Sequence, residues 1–441
     1  MALENDNILY EFIRRNMNLV FKAAFRKIEY VGLDNVPNDG AIIFAPNHTS
    51  ALMDALTVLT VRQGKVVFVA RADIFNNKRV AKILNFFKIM PIVRQRDGMQ
   101  NLKKNDKIME RAVEVLCAGV PFCIFSEGTQ RLMHSLMPLT KGVFRIALHC
   151  VDAIGENNNV YIVPVGIEYG SYTTYRGTLL VNVGEAINVS DFVNNHRELD
   201  APEMINAIRP VLSAKMGCLI HNIPATQHYE GVLALSYMHN KYHLEKTGRG
   251  NSLYNRMLAN RATVDEVSEL TSSNPAQMDE VLNLMDDFAE VRNRLKITDD
   301  TLYNNKQWGS VVIDILLSIV ALPYAVYCMI VNLPIALVQY LLTNKLDDMG
   351  FANSIRIVLV MFLLPIILLV ILIVGLVYLP TLTALLIAAI SLPANIVTND
   401  YCRFIRNIVS DCRMLRSAKL KSIWQEVKTK LMTLHSGSTS K

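Results

Sequence analysis

Apolar residues in this chain follow two regimes. Between about residues 29 and 190 they come in short runs, at 41–46, 67–71, 90–93, 121–125 and 161–167, which predict buried strands. Helix-like stretches near 51–62, 78–88, 99–118 and 141–154 separate them. The stretch 99–118 sets Leu102, Ile108, Met109, Ala112, Val113, Val115 and Leu116 on one side and stops at Gly119. Strands alternating with helices predict an α/β fold with a largely parallel central sheet flanked by helices. Residues 178–187 (TLLVNVGEAI) are a further candidate strand. Beyond residue 311 apolar residues become nearly continuous.

Residues 1–28 predict an amphipathic interfacial helix over 7–28. Ile8, Phe12, Leu19 and Phe25 recur at helical spacing, with Arg14, Arg15, Lys22, Arg26 and Lys27 interleaved. Such a helix suits an anionic bilayer surface, or packs on its own domain. Residues 29–190 form the α/β domain, and 191–307, polar and helical, a helical extension in which Asn274-Pro275 marks a helix start. Residues 308–398 read as C-terminal transmembrane helices arranged as hairpins. Ile357 to Leu379 carries no charge over 23 residues, enough to span roughly 30 Å of hydrocarbon. The stretch 311–342 holds Asp314, Pro323, Asn332 and Pro334, and its length suggests a re-entrant hairpin or a kinked pair.

Composition sharpens this picture. Apolar residues make up 51% and charged residues 19%, which excludes a disordered chain and a basic nucleic-acid binder. The net charge of +6 resides in residues 399–441, where nine basic side chains face Asp400, Asp411 and Glu426. A basic tail after the last apolar run places tail and α/β domain on the cytoplasmic side by the positive-inside rule, with an even number of crossings. The first eleven residues hold Glu4, Asp6 and Glu11 and no basic residue, unlike a secretory signal. Seven scattered cysteines show no C-x-x-C pair and no zinc spacing, so reduced thiols and no metal are expected.

Candidate chemistry gathers at strand ends. PNHTSALMDAL (46–56) follows the first strand, and its His48 is a candidate general base with Asp54 reaching back to orient the ring. IMPIVRQRD (89–97) brings Arg94 and Arg96 to another strand end, suited to a bidentate phosphate contact. IFSEGTQR (124–131) places Glu127, Gly128 and Thr129 in a tight turn. YIVPVGIEY (161–169) is a further buried strand. Each motif alone is also what an ordinary strand end or core strand looks like.

Taken in order, these four motifs resemble the glycerophospholipid acyltransferase family, the PlsC-type enzymes that include glycerol-3-phosphate and lysophosphatidate acyltransferases. The resemblance covers roughly Ile28 to Ile187, including the lead-in EYVGLDNVPNDGAIIFAPNH (29–48). Two departures stand out. Five residues separate His48 from Asp54 where most members have four, as in a subgroup with fungal glycerol-3-phosphate acyltransferases. The third motif has Ser126 for the usual Pro and Gln130 for the usual Arg, with Arg131 one place later. The resemblance implies a membrane-bound O-acyltransferase of phospholipid biosynthesis. His48 and Asp54 are catalytic, and Arg94, Arg96, Glu127, Gly128 and Thr129 bind the acceptor. Arg131 or Lys141 stands in for the displaced Arg. No cofactor is implied: acyl-CoA or acyl-carrier protein donates, lysophosphatidate or glycerol-3-phosphate accepts, and the bilayer is the partner.

Rival readings use the same residues. A phospholipid–lysophospholipid transacylase needs the same His and Asp, and a lyso-aminolipid offers an equally acylatable hydroxyl. A non-enzyme reading is a membrane-remodelling protein with a dead acyltransferase site. A channel rests on the C-terminal segments alone, which are too few and too sparsely polar.

Overall fold

A computed structural model describes residues 7–62, 64–93, 103–155, 158–346 and 348–438. The chain divides into two compact units. The first takes in the N-terminal 173 residues, Thr178–Ile220 and a short strip over 348–354; the second takes in Thr174–Gly177, His221–Leu346 and Ile355–Lys441.

In the first unit the order is α1 (Ile8–Ala23), β1 (Phe25–Val31), β2 (Ala41–Pro46), α2 (Ala51–Val61), β3 (Val67–Arg71), α3 (Lys78–Phe86), β4 (Ile89–Ile92), α4 (Lys103–Cys117), β5 (Phe122–Cys123), α5 (Gly142–Ile154), β6 (Val160–Tyr169), β7 (Gly177–Val183), β8 (Ile187–Asn188), α6 (Val189–Asn194) and α7 (Ala201–Leu219). The strands form one sheet in the order β1-β7-β6-β2-β5-β3-β4, with β8 also on β6. Strands β6, β2, β5, β3 and β4 run parallel, and β7 and β8 run antiparallel to β6. The parallel strands read as continuous apolar runs because both faces are covered. One face packs Ile43, Val67, Phe122 and Ile162 against Val115 of α4, Phe144 and Ala147 of α5, and Leu212 and Met216 of α7.

Two outcomes differ from the sequence pattern. The helix expected over 7–28 stops at Ala23, and Phe25 to Ile28 enter a strand. The Phe25 ring packs on Phe21 and stacks on Tyr169, so burial there outweighs the helical spacing. The α/β unit also runs past residue 190 through α7, whose buried Ile205, Ile208, Leu212 and Met216 complete the core.

The second unit is helical: α8 (Tyr229–Lys246), α9 (Leu253–Ser273), α10 (Pro275–Arg294), α11 (Asp299–Asn304), α12 (Trp308–Thr343), α13 (Ala352–Tyr378, entering from the strip), α14 (Thr381–Ser391), α15 (Ala394–Arg416) and α16 (Ala418–Ser438). α10 buries Met278, Val281, Met285 and Phe288 at helical spacing. The stretch expected as a hairpin or kinked pair is one 36-residue helix, α12, with Pro323 and Pro334 inside it. A proline removes one backbone donor but leaves the rest of the ladder, so an apolar helix continues through it. α12 and α13 are long and apolar enough to cross a membrane, and α14 with α15, bent by 45° at their break, pass the same test together. Val320, Leu333, Val370 and Val377 are more than half exposed, as lipid-facing side chains are. The length and composition of these helices suit a membrane-associated protein.

Candidate active site

Strand β2 ends at Pro46, and the ladder with β6 is carried one residue further by a side chain. Asn47 N donates to the Val165 carbonyl at 3.3 Å. Its buried carboxamide then accepts from Ile167 N at 2.7 Å and donates to Ile167 O at 3.1 Å, copying a strand pair. This fixes where the next residue, His48, leaves the sheet.

His48 Nδ1 lies 2.8 Å from Asp54 Oδ2. The same oxygen accepts from the backbone N–H of Thr49 at 2.8 Å and of Ser50 at 2.7 Å, and Oδ1 accepts from Tyr169 Oη at 2.7 Å. Asp54 is fully buried, and all four bonds cast it as acceptor. The imidazole proton therefore sits on Nδ1, and Nε2 is the nitrogen left to accept a proton. The ring stacks on Phe125 at 4.1 Å between centroids and keeps 19% of its side-chain surface exposed. Burial, then the Asp54 carboxylate, pushes the Tyr169 hydroxyl well above its ordinary range, so it stays a donor.

The additional residue between His48 and Asp54 is absorbed before the helix settles. Ala51, first residue of α2, takes φ +41°, a left-handed conformation rare for a residue with a Cβ. Asp54, in the first turn, thereby swings back over the N–H groups of Thr49 and Ser50, where a helix start favours an acidic group.

Glu127 is buried beneath the same loop. One carboxylate oxygen accepts from His48 N at 2.8 Å and the other from Met137 N at 2.9 Å. Burial raises its pKa against the lowering effect of those two bonds. With both oxygens engaged, Glu127 braces the loop that carries His48; the sequence assigned it to the acceptor. Gly128 adopts φ +69°, and a Cβ there would meet the Thr140 side chain at 3.0 Å.

Residues 27–168 match the family model described as Acyltransferase. That stretch is an acyltransferase domain. The chain is similar, at 18% identity and a TM-score of 0.33, to the 1-acyl-sn-glycerophosphate (LPA) acyltransferase PlsC from Thermotoga maritima, over 48% of this chain and 81% of that one. No curated protein matches the sequence.

Within the acyltransferase domain the remaining expected residues divide. Thr129 is half-buried in the Gly128 turn. Arg131 N donates to the His48 carbonyl at 3.2 Å and its Nη2 to Ser135 O at 3.2 Å, while Nε is buried without an acceptor. Lys141 is exposed at the start of α5. Arg94 and Arg96 lie outside the described residues. Asn47 and Tyr169 lie within the sequence motifs without a role there, because nothing local in the sequence ties Asn47 to Ile167, 120 residues on, or Tyr169 to Asp54, 115 residues back.

The strip over 348–354 joins the acyltransferase domain. Gln130 Nε2 hydrogen-bonds the Asp348 carboxylate, Ser50 Oγ reaches Gly350 O at 3.4 Å, and Asn353 Nδ2 donates to Tyr172 O at 2.9 Å. Ser50 adjoins the His48–Asp54 pair and Gln130 the Glu127 turn, so the strip lies along the site's edge.

Proposed function

We propose that the acyltransferase domain moves a fatty acyl group from acyl-CoA or acyl-carrier protein to a hydroxyl of lysophosphatidate or glycerol-3-phosphate. The observation carrying this reading is the His48–Asp54 pair, with Nδ1 held by a buried carboxylate and Nε2 left as base. A glycerol-type hydroxyl is a poor nucleophile at neutral pH. His48 Nε2 takes its proton as the oxygen attacks the thioester carbonyl, a contribution of about 10²–10⁴ in rate. The resulting imidazolium is stabilised by Asp54. The C–S bond breaks, and the thiolate leaves and takes up a proton. Oxygen attack on the donor is direct, so no acyl-enzyme forms.

The phosphate of the acceptor is assigned to Arg94, with Arg96 two positions on in the sequence, since a guanidinium meets two phosphate oxygens at once. Arg131, whose buried Nε has no acceptor, is a second cation in the same domain. α12 and α13 keep the enzyme at the bilayer, where lipid acceptor and product reside. The basic residues of 399–441 put the tail and the acyltransferase domain on the cytoplasmic face.

The test compares His48→Ala with the wild-type chain in phospholipid vesicles, using acyl-CoA, acyl-carrier protein and phospholipid as donors in turn. Expected is a rate loss of about 10²–10⁴ with a thioester donor and unchanged membrane association. A variant that transfers near the wild-type rate removes His48 from the mechanism. Transfer from phospholipid alone makes the enzyme a transacylase. Arg94→Ala is expected to raise the acceptor KM, chiefly for phosphate-bearing acceptors.

A further inference from the structure

The second unit gathers imidazoles that the acyl-transfer reading leaves unused. His239 and His243 stand four residues apart on α8, one turn above the other on the same face. Glu266 of α9 faces both: its Oε2 lies 3.1 Å from His243 Nε2 and 3.6 Å from His239 Nδ1. From α16, His435 brings Nε2 to 2.5 Å from Glu266 Oε1. The donor atoms of His239, His243 and Glu266 lie within 4.8 Å of one another. We propose that His239, His243 and Glu266 form a binding site for a divalent transition-metal ion of the zinc class, with His435 holding the Glu266 carboxylate from its other oxygen.

Two features favour a metal over a plain hydrogen-bonded cluster. The first is donor chemistry: imidazole nitrogen and carboxylate oxygen are the borderline ligands zinc takes, and two imidazoles with one carboxylate make the three-ligand set of an open zinc site. The second is convergence of the three donor atoms from two helices, with the His239 ring set by stacking on Tyr242 at 4.5 Å and 5°. The other carboxylate oxygen, Oε1, lies 2.5 Å from His435 Nε2, which positions the carboxylate from α16.

Three protein ligands leave the fourth position open to water. The ion would tie α8 to α9, and His435 holds Glu266 from α16, a helix also linked to α10 by Lys430 and Glu280 at 2.7 Å. The sequence carries part of the signal, the H-x-x-x-H of SYMHNKYHLEK; Glu266 is too distant along the chain to be linked to it by spacing.

The test uses the full chain in detergent micelles, stripped with chelator, then dialysed against zinc sulfate and assayed by elemental analysis. Expected is one zinc per chain, with affinity lowered at least about 100-fold in His239→Gln/His243→Gln and about 10-fold or more in His435→Gln. Cobalt in place of zinc is expected to give the visible ligand-field bands of a four-coordinate ion, altered in Glu266→Gln. Acyl transfer serves as the folding control, since none of these side chains belongs to the acyltransferase domain. If the double variant fails to fold, Glu266→Gln carries the comparison alone. The proposal is overturned if the wild-type chain takes up no more zinc than the variant compared, or if cobalt shows only its hexa-aqua spectrum.

Discussion

Asp54 is surrounded by four donors, and each tests a different part of the chemistry. Tyr169 is the donor whose removal least disturbs the backbone. Tyr169→Phe keeps the ring that stacks on Phe25 and deletes the bond to Oδ1 together with a longer one, 3.4 Å, between the hydroxyls of Tyr169 and Thr57. A hydrogen bond to a charged group contributes about 1.5–3 kcal/mol. The expected outcome is a kcat lowered at least about tenfold with little change in acceptor KM, read from steady-state kinetics. Ala51 offers a test of the opposite sign. Its left-handed backbone costs roughly 1–2 kcal/mol, a cost that glycine avoids. Ala51→Gly should therefore raise the melting temperature or leave it unchanged, whereas Ala51→Val should lower it, as thermal unfolding in detergent will show. Glu127 makes a pH statement. Its folded pKa is raised, mainly by burial, so the folded chain binds this proton more tightly than the unfolded one. Its contribution to stability is full below the unfolded value of about 4.3 and is lost as pH rises through the folded value. Glu127→Gln should flatten that decline in a series of unfolding curves above pH 4.

Elements follow the apolar pattern where one rule acts alone. The runs at 41–46 and 67–71 became β2 and β3, and the stretches near 78–88 and 141–154 became α3 and α5. Disagreement arises where two rules compete. Residues 25–28 have helical spacing yet join a strand, because Phe25 buries its ring and the segment pairs with a sheet edge. α12 holds two prolines that would break a helix in water. Along that helix polar groups act as fasteners: Asn332 Oδ1 accepts from Asn395 Nδ2 at 2.8 Å, and Tyr327 Oη lies 2.6 Å from Ser391 Oγ. Hydrogen bonds between membrane helices are worth about 0.6–2 kcal/mol. A double-mutant cycle on Asn332→Ala and Asn395→Ala should return a coupling of that size from unfolding in mixed micelles; additive effects would show that the bond does not fasten the helices.

At the scale of the molecule, the motif order made the acyltransferase domain and the contact between His48 and Asp54 legible, since each motif carries its meaning in adjacent residues. What stayed hidden joins distant residues: Asn47 with Ile167, Tyr169 with Asp54, and the strip with Ser50 and Gln130. No local spacing encodes a partner a hundred or more residues away. The strip also makes a prediction for the intact chain. Asp348→Ala removes the partner of Gln130 and should slow acyl transfer several-fold while membrane flotation is unchanged; equal kinetics would mean that the contact is idle.

The catalytic unit is thus stitched from pieces that a gene map keeps apart, and its last stitch lies between two hydrophobic helices. A designer who trims this chain before Trp308 to gain solubility also discards residues 348–354, and with them the partners of Gln130, Ser50 and Tyr172.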